Sequence, residues 1–181
     1  MRQKSFGTER LLLCPLRSSD YNAWFAAHVN HLPAKNRLDR GSLPPSRCSK
    51  AKYLKLVNQH RSWAKQDDSY WFAVFEKKSG DLIGYIDFDI FVRETHQFAN
   101  FGYQIFNRYR GRGYGREASA AGLQIGFTQL KLNRLEAAIN FDNKKSIRMV
   151  KAIGMRREGI KKRYWFENNE WVDHLIYVAN P

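Results

Sequence analysis

The chain of 181 residues is 43% hydrophobic and 14% aromatic, which excludes a disordered chain and predicts one folded domain over 1–181. Its 31 lysines and arginines exceed its 17 aspartates and glutamates, and the net charge of +14 favours polyanionic partners such as nucleic acid, the ribosome or phosphorylated cofactors. No apolar run approaches the roughly 20 residues of a membrane span, and the N-terminal residues do not follow the pattern of a signal peptide.

The first half of the chain predicts a strand followed by two helices. Pro15 ends the strand, either Ser18 or Ser19 caps the first helix, and Ser49 caps the second. The predicted bounds are 8–16 for the strand, 21–32 and 50–66 for the helices, and 33–48 for the loop between the helices. His60 shares a face of the second helix with aromatic and aliphatic residues, so we interpret it as a packed or surface residue rather than a metal ligand.

The second half predicts strands interleaved with two more helices. The predicted strands are 70–76, 82–92, 97–106, 134–140, 162–167 and 170–178, and the predicted helices are 117–132 and 144–153. A polar turn over 77–81 joins the first two strands, and Asn168–Asn169 joins the last two. This order predicts a mixed α/β fold. Cys14 and Cys48 have no metal spacing and make no disulfide framework, so we expect reduced thiols in a cytoplasmic protein.

The segment "NRYRGRGYGREASAAG" (107–122) has three competing interpretations: a flexible arginine-rich RNA-binding tract, a dinucleotide fingerprint, or a loop that binds a pyrophosphate. The mostly apolar helix that follows argues against a flexible tract. The dinucleotide fingerprint fails because Arg116 stands where its last glycine is required. A strand, a glycine loop and a buried helix indicate a pyrophosphate site, because glycine lets backbone N–H groups approach a ligand and the helix N-terminus adds positive charge. A plain glycine-rich connection is the alternative.

Three ordered motifs resemble one family. Arg110-x-x-Gly113-x-Gly115 resembles the loop of the GNAT superfamily of acetyl-CoA-dependent N-acetyltransferases. "NFDNKKSIRMVKAIGMRREG" and "YWFENNEWVDHLIYV" are similar to later motifs of its RimJ/RimL branch, which acetylates the N-termini of ribosomal proteins, with RimJ-like sequences nearest. The resemblance covers nearly the whole chain and implies a single GNAT domain. In that α/β fold a mixed, mostly antiparallel sheet opens between two adjacent parallel strands and is flanked by helices.

The resemblance also implies where acetyl-CoA binds, without a metal. The pantetheine arm would extend along the strand before the loop, and the pyrophosphate would contact the loop amides. Asn143 can cap its helix and contact coenzyme A at once, whereas Asn140 is a weaker contact. The implied cofactor-binding residues are Tyr103, Gln104, Ile105, Phe106, Arg108, Arg110, Gly111, Arg112, Gly113, Tyr114, Gly115, Arg116, Asn140, Asn143 and Ser146.

Acetyl transfer needs a neutral amine and a proton for the departing thiolate. Many GNAT enzymes place a tyrosine where Val150 stands, and valine cannot donate a proton. Ser146 matches the serine of the RimJ/RimL pattern and is the candidate general acid, although a serine there can also bond its own backbone. Some relatives carry a glutamate where Trp165 stands. The base therefore stays open between Glu167, Asp87, Asp89 and a chain of water molecules, and all three carboxylates can equally be surface groups.

Two classes of function compete. The first is acetylation of a primary amine, most favourably a protein N-terminus, with a small amine such as an amino acid, polyamine or antibiotic as the alternative. A charge of +14 disfavours cationic polyamines and aminoglycosides. The second is a catalytically weak protein that binds the ribosome or RNA. Basic residues between 144 and 163 would suit docking on ribosomal RNA, and the oligomeric state, monomer or dimer, stays open.

Overall fold

The computed structural model describes residues 4–34, 39, 41–167 and 169–181. Their strands are β1 (Phe6–Gly7), β2 (Leu11–Cys14), β3 (Ser69–Glu76), β4 (Leu82–Val92), β5 (Phe98–Ile105), β6 (Arg134–Asn140), β7 (Arg156–Glu167) and β8 (Glu170–Ala179). Their α-helices are α1 (Tyr21–Val29), α2 (Lys50–Gln66), α3 (Tyr114–Thr128) and α4 (Lys144–Ala152). None of these helices is long and apolar enough to cross a membrane.

The described strands form one sheet in the order β1-β2-β3-β4-β5-β6-β8-β7. Neighbouring strands are antiparallel except for β5 and β6, which are parallel and pair only from Phe98↔Arg134 to Asn100↔Glu136. Beyond Asn100, β5 continues its pairing with β4 as far as Ile105, but it has no partner residues on β6. The sheet therefore opens into a V between β5 and β6. The predicted mixed sheet with an opening between parallel strands is confirmed.

Helices cover both faces of the sheet. One core joins α3 to apolar residues of β3, β4, β5, β6 and β8, and a second joins α1 and α2 to the opposite face of β3 and β4. Two glycines let α3 lie close to the sheet. A Cβ on Gly122 would fall 2.8 Å from the Phe101 ring, and one on Gly126 would fall 2.7 Å from Leu135. This close packing brings the N-terminus of α3 to the mouth of the V.

Several predicted elements match the structure and others shift. Helix α2 and strands β4 and β6 have the predicted bounds, and Ser49 caps α2 by accepting from Lys52 N at 3.4 Å. Neither Ser18 nor Ser19 caps α1. Instead they belong to a 3₁₀ turn over Ser18–Asp20, whose Asp20 carboxylate accepts from Arg17 N at 2.8 Å.

The two ends of the chain differ most from the prediction. Strand β2 covers only four of the residues 8–16, because Thr8 N turns back to Leu11 O at 2.9 Å. Strand β7 begins at Arg156, six residues before the predicted start, and two bulges hide its alternation from the sequence. Asn169 lies in the β7–β8 turn with φ 65°, while Asn168 lies outside the described residues. Within the predicted loop 33–48, Pro45–Arg47 form a 3₁₀ turn, and 35–38 and 40 lie outside the described residues.

Candidate active site

A cavity of about 870 Å³ begins at the opening between β5 and β6 and continues across the sheet towards α1 and α2. Its first branch, called here the cofactor branch, is lined by residues of β5, the start of α3 and the start of α4. Its second branch, called here the acceptor branch, is lined by α1, α2, β3 and β4. The cofactor branch contains Tyr103, Gln104, Ile105, Gly115, Asn143 and Ser146. One continuous space thus connects the V to the opposite face of the sheet.

The loop before α3 turns on two glycines. Gly111 and Gly113 both have φ 81°, a left-handed conformation that favours glycine. Gly113 is the N-cap residue of α3 and contributes no side-chain cap, so the first amides of the helix are not covered by a capping side chain. Amides and helix dipole together favour an anion at this position. The helix begins three residues before the predicted start because the glycine turn itself forms its N-terminus.

Arg10 holds this loop from a distant part of the chain. Its guanidinium donates to Arg112 O at 3.0 Å, forms an ion pair with Glu117 at 2.6 Å and lies 4.7 Å from the centre of the Tyr114 ring. Thr8 also donates to the Glu117 carboxylate, at 2.5 Å. Sequence reasoning missed Arg10, because more than a hundred residues separate it from the loop and only the fold brings the two together.

The predicted cofactor residues do not all face the cavity. Arg108, Arg112 and Arg116 are exposed to solvent, whereas Arg110 donates to Ile105 O at 2.8 Å and pairs with Asp39. Two aromatic side chains are buried away from the cavity. Phe106, 3% exposed, packs in the core beneath α1, and the Tyr114 hydroxyl donates to Glu76. Asn140 lies outside the cavity and donates to Glu167 at 2.5 Å.

The start of α4 brings Ser146 to Tyr103. Asn143 caps α4 by accepting from Ser146 N at 3.2 Å, as predicted. The Ser146 side chain lies beside the Tyr103 phenol in the cofactor branch. Burial raises the pKa of Tyr103 to about 12, and a side-chain hydrogen bond with Ser146 acts in the opposite direction. Tyr103 therefore stays protonated near neutral pH and can donate. Its sequence position indicated only backbone contacts, because nothing local shows which helix its side chain meets.

The three candidate carboxylates have different surroundings. Asp87 lines the cavity. The Asp89 carboxylate accepts from Ser69 Oγ at 2.7 Å, and that oxygen accepts from Trp71 Nε1 at 3.0 Å, so Asp89 orients an indole ring. Glu167 accepts from Asn140 beside a different groove. Of the three, Asp87 alone lines the space that contains Ser146.

The Asp87 carboxylate lies directly over Gly102. A Cβ built on Gly102 would stand 2.1 Å from Asp87 Oδ2 and 2.5 Å from its Cγ, so only glycine leaves room for the carboxylate there. Gly102 is also the β5 partner of Asp87 in the sheet register and immediately precedes Tyr103. The carboxylate thus leans over β5 at the junction of the two branches.

Residues 10–156 match the family described as "Acetyltransferase (GNAT) domain". The chain belongs to the GNAT acetyltransferases. It is therefore an acetyl-CoA-dependent N-acetyltransferase, as the motifs predicted. Among the described residues of this GNAT protein, no group of three or more histidine, cysteine, aspartate or glutamate side chains is placed to hold a metal ion.

Bacterial acetyltransferases are similar to this GNAT chain over much of their length. It is 29% identical over 128 residues to the probable N-acetyltransferase YjcK of Bacillus subtilis strain 168, covering 70% of this chain and 71% of that one. It is 26% identical over 123 residues to the ribosomal protein uS5-alanine N-acetyltransferase of Escherichia coli strain K12, covering 68% and 62%. The structure of Mycobacterium smegmatis RimJ in complex with CoA-disulfide superposes with a TM-score of 0.80 at 22% identity, covering 99% and 90%, which confirms the fold.

The cofactor branch suits acetyl-CoA, which carries a pyrophosphate, an arm with two amides and a thioester. The glycine turn offers backbone amides at one end. The edge of β5 from Phe101 to Ile105 has no partner residues on β6 and offers backbone groups along the branch. A buried backbone N–H or C=O without a partner costs about 1–3 kcal/mol, and the amides of the arm can satisfy such groups. Acetyl-CoA supplies the acetyl group to be transferred.

Proposed function

We propose that this GNAT protein acetylates the N-terminal α-amine of a protein chain. One observation carries the proposal: a single cavity joins the cofactor branch, with Ser146 and Tyr103, to an acceptor branch, with the Asp87 carboxylate at the junction of the two. An amine entering from α1 and α2 passes Asp87 before it reaches the V. The attacking amine and the leaving thiolate would then lie on opposite sides of one junction, each beside a group that can exchange a proton with it.

Asp87 accounts for the activation of the amine. An ammonium group cannot attack a thioester, and a carboxylate beside it can both bind the cation and accept its proton. An unperturbed α-amine has a pKa of about 7.7–8.0, against about 10.4 for lysine, so a carboxylate deprotonates the α-amine with less cost. We infer that Asp87 is the base among the candidates, because of the three carboxylates it alone lines the cavity that contains Ser146.

Ser146 and Tyr103 account for the leaving group. Both side chains line the cofactor branch, and the raised pKa of Tyr103 keeps its phenol protonated. A hydroxyl that donates to the developing thiolate lowers the barrier to C–S cleavage. The proton then passes from the hydroxyl pair to the sulfur as the amide forms. The phenol of Tyr103 supplies a donor in the V that the helix lacks at Val150.

The choice of a protein N-terminus rests on the relatives as well as on the site. One relative is a ribosomal protein uS5-alanine N-acetyltransferase. At 26% identity, this relative supports acetyl transfer to an amine more strongly than it supports a protein N-terminus as the acceptor.

The basic surface supports docking on ribosomal RNA as a secondary proposal. Exposed cations on α4 and β7 exceed what the coenzyme A phosphates need, and they would make docking strongly dependent on salt. These exposed residues are Lys144, Lys145, Arg148, Lys151, Arg156, Arg157, Lys162 and Arg163. Lys161 is less exposed than these residues and pairs with the buried Glu136, whereas the exposed Lys162 pairs with Asp173 at 2.7 Å. Co-sedimentation with ribosomes should fall steeply between about 50 and 200 mM salt. Binding that ignores salt, or none at low salt, would contradict docking only.

The test of function compares matched acceptors with acetyl-CoA while release of free thiol is followed. One peptide carries a free N-terminus and no lysine, the second is blocked at the N-terminus and carries one lysine, and the third acceptor is spermidine. We expect turnover with the first peptide and little with the others. Preference for lysine or spermidine would overturn the N-terminal proposal. Thiol release that no acceptor stimulates would favour a ribosome-binding protein with weak chemistry.

A further inference from the structure

The acceptor branch has a continuous wall of six rings from four separate elements. Neighbouring ring centres along the wall lie 5.8, 5.1, 6.1, 6.3 and 4.6 Å apart, in the order Trp63, His60, Trp71, Tyr85, His28 and Trp24. All six line the same cavity as Asp87. Trp63, His60 and Trp71 are only partly buried, so the wall presents ring surface to the branch.

The wall is held in place around the carboxylate. Trp71 is the β3 partner of Asp87, and its indole N–H is fixed on Ser69 Oγ at 3.0 Å. The His60 ring stacks on Trp71 with an angle of 16° between their planes. Burial lowers the pKa of His60 to about 4, so this ring is neutral near pH 7. The rings of Trp71 and His60 are therefore fixed and uncharged near pH 7.

Two buried polar atoms of the wall have no hydrogen-bond partner among the described residues. Trp24 is 6% exposed, and its Nε1–H donates to nothing; His60 Nδ1 is also buried without a partner. Buried donors in native proteins nearly always find an acceptor, so the Trp24 indole N–H is an exception within the wall.

The charges of the branch distinguish a single amine from a polycation. Among the described residues that line the cavity, the carboxylates Asp39 and Asp87 are balanced by Arg110 and Lys145, and Asp39 pairs with Arg110. A polyamine would bring several positive charges to a lining whose described charges already balance, so most of them would have no carboxylate to pair with. An α-ammonium brings one, and an apolar side chain brings none.

We propose that the acceptor branch is a subsite for the first residue of the acceptor, selecting chains that begin with an aromatic residue. This inference rests on the proposed function. Asp87 binds the α-ammonium, and the first side chain packs against the partly exposed rings of Trp71 and Trp63. The methyl group of an N-terminal alanine would leave the exposed ring surface of the branch in contact with water. An N-terminal aromatic side chain buries that surface and adds favourable aromatic contacts.

The test uses peptides that differ only in residue 1, which is alanine, serine, leucine, phenylalanine or tryptophan. We expect kcat/KM to be at least about 10-fold higher for phenylalanine and tryptophan than for alanine, because an apolar pocket favours the substrate side chain that fills it by about that factor. Equal or higher kcat/KM for alanine or serine would overturn the subsite and leave N-terminal acetylation standing. Acetylation of none of the five peptides would overturn both proposals, and a preference for leucine over both aromatic residues would overturn the stacking.

A variant tests the wall directly. Trp63→Ala removes one partly exposed ring of the stack and should lower the phenylalanine-to-alanine ratio of kcat/KM by about 2- to 10-fold, because the aromatic side chain loses more contact than the methyl group does. The matched control is Trp171→Ala, which removes a 53% exposed indole outside this cavity and should leave the ratio unchanged. An unchanged ratio in Trp63→Ala would contradict the stacking. The panel on the unaltered protein decides the proposal even where a variant folds poorly.

Discussion

Replacing Gly102 by alanine moves the Asp87 carboxylate without altering it. The new Cβ would stand 2.1 Å from Oδ2, and ordinary contact begins only at 3.4 Å, so the carboxylate must retreat by more than 1 Å. A displacement of about 1 Å at a reacting group can cost about 100-fold in rate. We therefore expect Gly102→Ala to lower kcat for an N-terminal peptide by about 100-fold.

The assay separates this effect from damage to cofactor binding. Steady-state kinetics gives kcat, and thermal shift with acetyl-CoA gives the affinity, which should change little because the substitution keeps the backbone groups of β5 and leaves the loop before α3 untouched. Gly159→Ala is the control: it adds the same methyl group to strand β7, where a Cβ meets no atom within 4 Å. Both its kcat and its affinity for acetyl-CoA should match those of the parent protein.

A double-mutant cycle completes the experiment. Asp87→Ala removes the carboxylate, so the methyl group that Gly102→Ala introduces has nothing to displace, and combining the two substitutions should cost little more than Asp87→Ala alone. If Gly102→Ala alone retains full turnover, the carboxylate does not act where the structure places it. If the two substitutions are additive, Gly102 matters for a reason other than Asp87.

Three further outcomes are expected. Acetyl-CoA at 100 times Kd should stabilise the parent protein by about 2.7 kcal/mol, which is seen as a rise in melting temperature. Gly113→Glu should abolish that rise, whereas Gly80→Glu, at a matched φ of 74° in a distant turn, should retain it. Ser146→Ala should lower kcat by about 10-fold with acetyl-CoA affinity nearly intact; full turnover would make it a helix-start serine only. The folded pKa of His60, about 4, lies below its ordinary value of 6.5, so the free energy of unfolding falls as pH drops from about 6.5 to 4. His60→Phe should reduce that fall in thermal denaturation across this range, and an equally steep fall would show that the histidine is not buried in its neutral form.

Local patterns in the sequence determined the elements and the loop. Helix α2 with its Ser49 cap, strand β6 and the Asn143 cap were predicted because capping and periodicity depend on residues within a few positions of each other. The glycine turn before α3 was predicted for the same reason. Strand β7 was underestimated because its bulges interrupt the period of two on which the prediction depends.

Only the tertiary structure decided which side chains meet. Asp87, Asp89 and Glu167 were indistinguishable as carboxylates in strands, and the register of β4 against Gly102 separated them. The brace from Arg10 to the loop joins residues more than a hundred positions apart.

The ring wall of the acceptor branch shows the same limit. Its rings come from α1, α2, β3 and β4, and within its own element each is an ordinary aromatic residue or histidine. The periodicity of a sequence predicts which face of a helix or strand a residue occupies. Which faces are brought opposite each other depends on strand order and helix packing, and these result from burial summed over the whole chain.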